Sequence, residues 1–203
     1  SLFEIPYVSW ETLGNWAYQM FFGTDWKKFN TPSTDLVRAF NQAGDTKRLN
    51  ASIRYEDVSA YWTDPYWPTS RYPFCWKIRL NEKGNITLLR LAAVILLHAE
   101  AENELDNLDE SKRLLKRVRD RAGLGEVKAD NKEQMREAIA LERRLELCFE
   151  GYRWFDLKRT GKAIQTMNRC SDHQNTYAKS SLTEEKLCLL YTSPSPRDRQ
   201  KSR

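Results

Sequence analysis

Residues 130–161, Asp-Asn-Lys-Glu-Gln-Met-Arg-Glu-Ala-Ile-Ala-Leu-Glu-Arg-Arg-Leu-Glu-Leu-Cys-Phe-Glu-Gly-Tyr-Arg-Trp-Phe-Asp-Leu-Lys-Arg-Thr-Gly, decide the fold class. Met135, Ala138, Ile139, Leu141, Leu145, Cys148 and Phe149 recur mostly three or four apart, the spacing of one buried helical stripe. Asp130 is the expected N-cap, with Glu133 completing a capping box. Gly151 is expected to end or kink this helix. A second short helix starts at Tyr152 and stops at Gly161, after Lys158 and Arg159, cations suited to a helix C-terminus.

Charge is dense beside this stripe: Glu142, Arg143, Arg144, Glu146, Glu150, Arg153 and Asp156. A catalytic reading makes Glu142 or Glu146 a general base, but no histidine, nucleophile or glycine-rich loop stands next to them. The reading preferred is an ion-pair network of arginine forks on carboxylates, locking two helices together. Arg143 or Arg144, Arg153 and Asp156 are expected to pair across Gly151. Leu91, Leu96, Leu145, Phe149, Trp154 and Phe155 are expected to share one buried cluster.

The run ERRLELCFEGYRWFDLKRTG, residues 142–161, resembles the C-terminal signature of the SusD/RagB family of surface glycan-binding lipoproteins. Two other stretches carry the same resemblance. One is RLAAVILLHAEAENEL, residues 90–105; the other is PSTDLVRAF, residues 32–40, followed by Gly44-Asp45 and Arg48. The resemblance implies a mainly α fold, SusD-like, with tetratricopeptide-like helix pairs, short strands and long aromatic loops. It assigns the signature itself a structural role.

Composition agrees with a globular chain. Of 203 residues, 30% are charged and 40% hydrophobic. The net charge of +5 invites a nucleic-acid reading, but residues 188–203 hold four cations against one Asp and so carry three of those charges. Elsewhere Lys and Arg alternate with Asp and Glu, as on solvated helix faces, and nucleic acid is not expected as a partner. Cys75, Cys148, Cys170 and Cys188 form no C-x-x-C pair, and His98 and His173 lie far apart, so neither a zinc site nor a cofactor is expected. No run of 18 apolar residues suggests a membrane-spanning helix.

Along the chain, Leu2, Phe3, Ile5 and Tyr7 read as a short strand interrupted by Pro6. Thr31 to Asp35 opens a helix capped by Ser33 or Thr34, with Leu36, Val37 and Phe40 inward and Gly44-Asp45 as its stop. Asn50 to Tyr55 reads as a strand, and residues 56–84, broken by Pro65, Pro68 and Pro73, as a loop with a short strand at Lys77–Leu80. Asn85 to Leu108 reads as one long helix, apolar nearly all round and therefore placed inside a helical layer. The next helix is capped by Asp109 or Ser111, turns Leu114, Leu115, Val118 and Ala122 inward and ends at Gly123.

Residues 1–187 are expected to form part of a SusD-like domain whose N-terminal portion is missing. Residues 188–203 (CLLYTSPSPRDRQKSR) are expected to be a non-native, disordered tail. The resemblance implies no enzymatic activity. It implies oligosaccharide binding, delivery to a SusC-like TonB-dependent transporter, and a place at the outer-membrane surface through a lipid anchor on the missing N-terminal part. A helical protein-interaction scaffold without carbohydrate binding is the alternative, and a carboxylate-pair glycosidase is a third reading. Aromatic side chains cover the C–H face of a sugar ring while polar neighbours take its hydroxyls. The expected glycan contacts are therefore Trp10, Trp16, Trp26, Tyr66 and Trp67 in the two aromatic loops, with Asn15, Asp25 and Asp64 beside them.

Overall fold

The structure is a computed structural model that describes residues 1–7, 21, 28, 30–60, 63–64, 67–77, 85–168 and 183. Trp10, Trp16, Trp26, Tyr66, Asn15 and Asp25, the strand expected at 78–80 and the tail at 188–203 lie outside the described residues. The chain divides into two compact units, Ser1–Arg153 and Trp154–Arg203.

Helices dominate the first unit. Helix α1 (Thr34–Gln42) begins at Ser33, whose side chain accepts the Leu36 N–H, and buries Leu36, Ala39 and Phe40. Asp45 then caps α2 (Thr46–Ser52), a polar helix whose last three residues, 50–52, begin the stretch read from the sequence as strand. Strand β2 (Ile53–Glu56) follows directly and pairs antiparallel with β3 (Tyr72–Cys75), placing Ile53 opposite Cys75 and Tyr55 opposite Pro73. Strand β3 falls inside the proline-rich stretch read as loop. β1 (Phe3–Ile5) pairs antiparallel with β4 (Ile86–Leu89), so the residues just after Asn85 are strand, not the first turns of a helix.

Helix α3 (Leu91–Glu104) and α4 (Leu108–Ala122) form a hairpin joined by residues 105–107. The Ser111 hydroxyl donates to the Ala99 carbonyl at 2.6 Å across their contact. Gly123, at φ +77°, closes α4: its N–H bonds the Asp120 carbonyl and the Leu124 N–H bonds that of Arg119. Helix α5 (Lys132–Glu146) is capped by Asn131, one residue later than expected, and Gln134 reaches back to the Asp130 N–H at 2.7 Å. It ends before Gly151: Leu147 is its C-cap, and Phe149 turns the chain at φ +64°, unusual for a bulky residue.

Two clusters form the core. Ala93, Leu96, Ala99, Leu114, Leu115, Val118, Met135 and Ile139 join α3, α4 and α5. Leu36, Ala39, Phe40, Ile53, Leu145 and Cys148 join α1, β2 and the end of α5, with Phe149 packed against them. The single cluster expected from sequence is therefore split, with Leu96 and Leu145 on different sides of α5. Leu91 is 56% exposed, because α3 packs along one side only and turns its second apolar stripe, Leu91, Val94 and Leu97, outward.

Helix α6 (Tyr152–Arg159) spans the junction between the units, and α7 (Ala163–Asn168) follows in the second. Leu157 and Ala163 are buried, whereas Phe155 is 69% exposed, against expectation. Within this unit the Lys158 ammonium lies 5.8 Å from the Trp154 ring centroid, and Arg159 pairs with Asp156 at 2.8 Å.

Candidate functional site

The most developed polar arrangement is built on Glu142, Glu146 and Glu150, spaced four apart so that the helical part of the run puts its carboxylates on one face. Glu142 and Glu146 are almost fully buried, 1% and 2% exposed. Buried carboxylates need opposite charges, and each finds several. Arg48 of α2 donates from Nη1 to Glu142 at 2.6 Å and to Glu146 at 3.0 Å, while its Nε is paired with Asp45. Arg90, at the β4–α3 junction, donates to Glu146 at 2.6 Å and grips both Glu150 oxygens at 2.6 and 2.8 Å. From α4, Arg119 reaches Glu142 at 2.9 Å and Arg121 reaches Glu146. Lys77, just past β3, donates to Glu150 at 2.7 Å and to the Glu146 carbonyl at 2.6 Å.

An arginine–carboxylate network is present, but it is centred on Glu142, Glu146 and Glu150 and takes its cations from other elements. Arg144 pairs with Asp35 of α1. Asp45, Arg48, Arg90, Glu142, Glu146 and Glu150, drawn from the three separate stretches that carry the family resemblance, all meet here. One sequence signal was available: the four-residue spacing of three glutamates beside an apolar stripe. No local pattern identifies Arg48, Arg90 or Lys77 as their partners.

Electrostatics follow from this geometry. Burial opposes the charged form of Arg48, but hydrogen bonds and charge from Glu142, Glu146 and Asp45 outweigh it and raise its pKa. Burial likewise opposes Arg90, and Glu150 and Glu146 reverse the effect. Burial alone would lift the Glu146 carboxyl; Arg90, Arg48 and Arg121 instead hold it below the usual carboxylate range. A general base works best with a pKa near the operating pH, and a carboxyl held low by three arginines runs against that role. Next to the network opens a cavity of about 420 Å³, lined by Lys47, Arg48, Lys77, Arg90, Arg121, Glu146 and Glu150 among others. Among the described residues no group of three or more His, Cys, Asp or Glu side chains could hold a metal ion.

Of the expected glycan contacts, Trp67 is described. Its indole N–H donates to the Pro32 carbonyl at 2.9 Å, and its ring meets Tyr55 edge-on with centroids 6.5 Å apart. The Tyr72 hydroxyl accepts the Asp64 N–H at 2.8 Å and bonds Thr31 at 2.9 Å. The Arg71 N–H bonds the Asp57 carboxylate at 2.9 Å, and its guanidinium lies over the Tyr55 ring at 5.5 Å. Trp67 is half-buried and Arg71 exposed, so the described part of this loop is pinned to the start of α1 while retaining an aromatic and cationic surface.

The described residues form a helical body with two short two-stranded sheets, clamped by a buried Arg–Glu network. The SusD family profile matches residues 17–189, and the chain belongs to that family. It is 33% identical over 168 residues to SusD-like protein P38 of Formosa agariphila, covering 70% of this chain and 33% of that protein. Among solved structures it resembles the surface glycan-binding protein A of Bacteroides thetaiotaomicron, with TM-score 0.65, 22% identity, and coverage of 92% of this chain and 47% of that one. It also resembles a laminarin-binding SusD-like protein, with TM-score 0.53, 27% identity, and coverage of 75% and 35%. The chain thus spans about a third of the curated relative and less than half of these solved chains.

Proposed function

We propose that the protein containing this chain binds oligosaccharide at the cell surface and delivers it to a SusC-like TonB-dependent transporter, without acting as an enzyme. The observation that carries the reading is the SusD family match over residues 17–189. Two structural relatives described as glycan-binding and laminarin-binding support it. Outer-membrane attachment through a lipid anchor N-terminal to this region belongs to the same proposal. Among the described residues no helix is long and apolar enough to cross a membrane.

Contact falls to the aromatic loops, with Trp10, Trp16, Trp26, Tyr66 and Trp67 as the candidates. Flat indoles cover the apolar face of a sugar, and nearby amides, carboxylates and guanidinium groups take its hydroxyls. If stacking matches that measured for bases, each platform contributes about 1–3 kcal/mol. Two or three platforms then suffice for millimolar binding, which needs about −4 kcal/mol.

The test is calorimetric titration of the full-length protein with a polysaccharide panel that includes laminarin, comparing wild type with Trp16→Ala, Trp26→Ala and Trp67→Ala. At least one substitution is expected to weaken binding tenfold or more with folding intact. Unchanged affinity in all three would remove these loops from the site. A folded full-length protein that binds no glycan of the panel but binds its transporter partner would favour the protein-interaction scaffold.

A further inference from the structure

Beside the buried network the charges do not balance. Arg48, Lys77, Arg90, Arg119 and Arg121 meet the carboxylates of Asp45, Glu142, Glu146 and Glu150, and Lys47 stands beside them on the Arg121 carbonyl. Six cations against four anions leave an excess of two positive charges among the described residues. The excess is greater around the cavity, which five of those cations line against Glu146 and Glu150 alone.

Two details locate the deficit. Arg48, 9% exposed, has its Nη2 buried with no hydrogen-bond partner, although its other nitrogens serve three carboxylates. The Lys47 ammonium is held by the Arg121 main-chain carbonyl at 2.7 Å, a neutral acceptor. Arg48 is thus already met by three carboxylates and its idle donor is shut off from the cavity, so the unmatched charge facing the cavity is that of Lys47.

We propose that this cavity is a binding site for an oxyanion group, sulfate or carboxylate. About 420 Å³ is ample for such a group and for the sugar ring that would carry it. Arginine forks match the planar carboxylate and the sulfate edge, and Lys47 supplies a point charge. The group has two sources, a free small anion or the acidic substituent of a uronic or sulfated saccharide. The site stands on the charge imbalance and the cavity, independently of the glycan reading above.

The experiment uses the full-length protein that contains this chain, melted in sodium sulfate, sodium glucuronate, neutral glucose, and sodium chloride at matched ionic strength. Sulfate or glucuronate is expected to raise the melting temperature saturably by about 2–4 °C over the chloride control, and glucose is not. Response to sulfate alone identifies a free-oxyanion site; response to glucuronate identifies a site open to acidic sugars. Lys47→Gln, at an exposed position, is expected to weaken the half-saturation concentration at least threefold. Lys116→Gln, which removes an exposed cation paired with Asp120 on α4, is expected to leave it unchanged. No saturable shift beyond chloride, or equal responses in both variants, overturns the proposal.

Discussion

Glu146→Gln removes the central charge of the network while keeping its shape. The wild-type carboxylate, 2% exposed, accepts from Arg48 at 3.0 Å and Arg90 at 2.6 Å, and also from Arg121. A hydrogen bond to a charged partner contributes about 1.5–3 kcal/mol, and breaking a buried pair costs about 3–5 kcal/mol. Arg121 is 65% exposed and adds little. Arg48 keeps Asp45 and Glu142, Arg90 keeps Glu150, and glutamine still accepts one bond, so the lower end applies. The expected loss is about 3 kcal/mol, or about 6–12 °C in melting temperature for a chain of this size.

Urea unfolding followed by circular dichroism reads the loss directly, with Glu133→Gln, an exposed glutamate paired with Arg136, as a control expected within about 0.5 kcal/mol of wild type. A second signature lies in pH. Because the native Glu146 carboxyl sits below its ordinary range, its stabilising effect is complete above the unfolded glutamate value of about 4.3 and fades as pH falls through the native value. The gap between wild type and variant must therefore close in acid. A loss under about 1 kcal/mol at neutral pH, or a gap that does not shrink in acid, would refute the assignment of this network as the clamp.

The packing and the aromatic loop make their own predictions. Leu96→Ala, fully buried between α3 and α4, is expected to cost about 2–5 kcal/mol by thermal unfolding, whereas Phe155→Ala, mostly exposed, should stay within about 0.5 kcal/mol. Trp67→Phe keeps an aromatic ring but removes the donor to the Pro32 carbonyl; a loss of about 1 kcal/mol in urea unfolding is expected. No change would mean that the indole N–H does not anchor the loop.

Where periodicity and a glycine stop agreed, the sequence could be read, although α4 begins after Asn107 and not at the expected caps Asp109 or Ser111. Helix α4 combines an inward stripe at Leu114, Leu115 and Val118 with a glycine stop, and its end at Gly123 needs no tertiary help. The start of α3 was misread because Ile86, Thr87, Leu88 and Leu89 run into its apolar pattern without a polar break. The boundary is set instead by Arg90, extended at φ −135°, whose guanidinium is drawn to Glu146 and Glu150. Strand β3 holds Pro73 and shows no alternation, since Tyr72, Pro73, Phe74 and Cys75 are all buried; its pairing with β2 is a tertiary fact. The left-handed turn at Phe149 breaks local preference and is held by packing of that ring on the second cluster.

The candidate site was less legible than the fold for a related reason. A charge is informative only through its partner, and Arg48 lies 94 residues from Glu142 and 98 from Glu146. Helical spacing shows that the glutamates share a face; it does not show whether that face meets water, substrate or guanidinium groups. The two readings separate in the direction of the pKa. A catalytic base works best with its carboxyl raised toward the operating pH, and Glu146 has the burial for that, but two arginines with little exposure of their own more than cancel it. Proton transfer would uncover those cations in a buried setting, which is the costliest state available to this cluster. The glutamates of the signature therefore act to join α2, the start of α3 and α4 to α5.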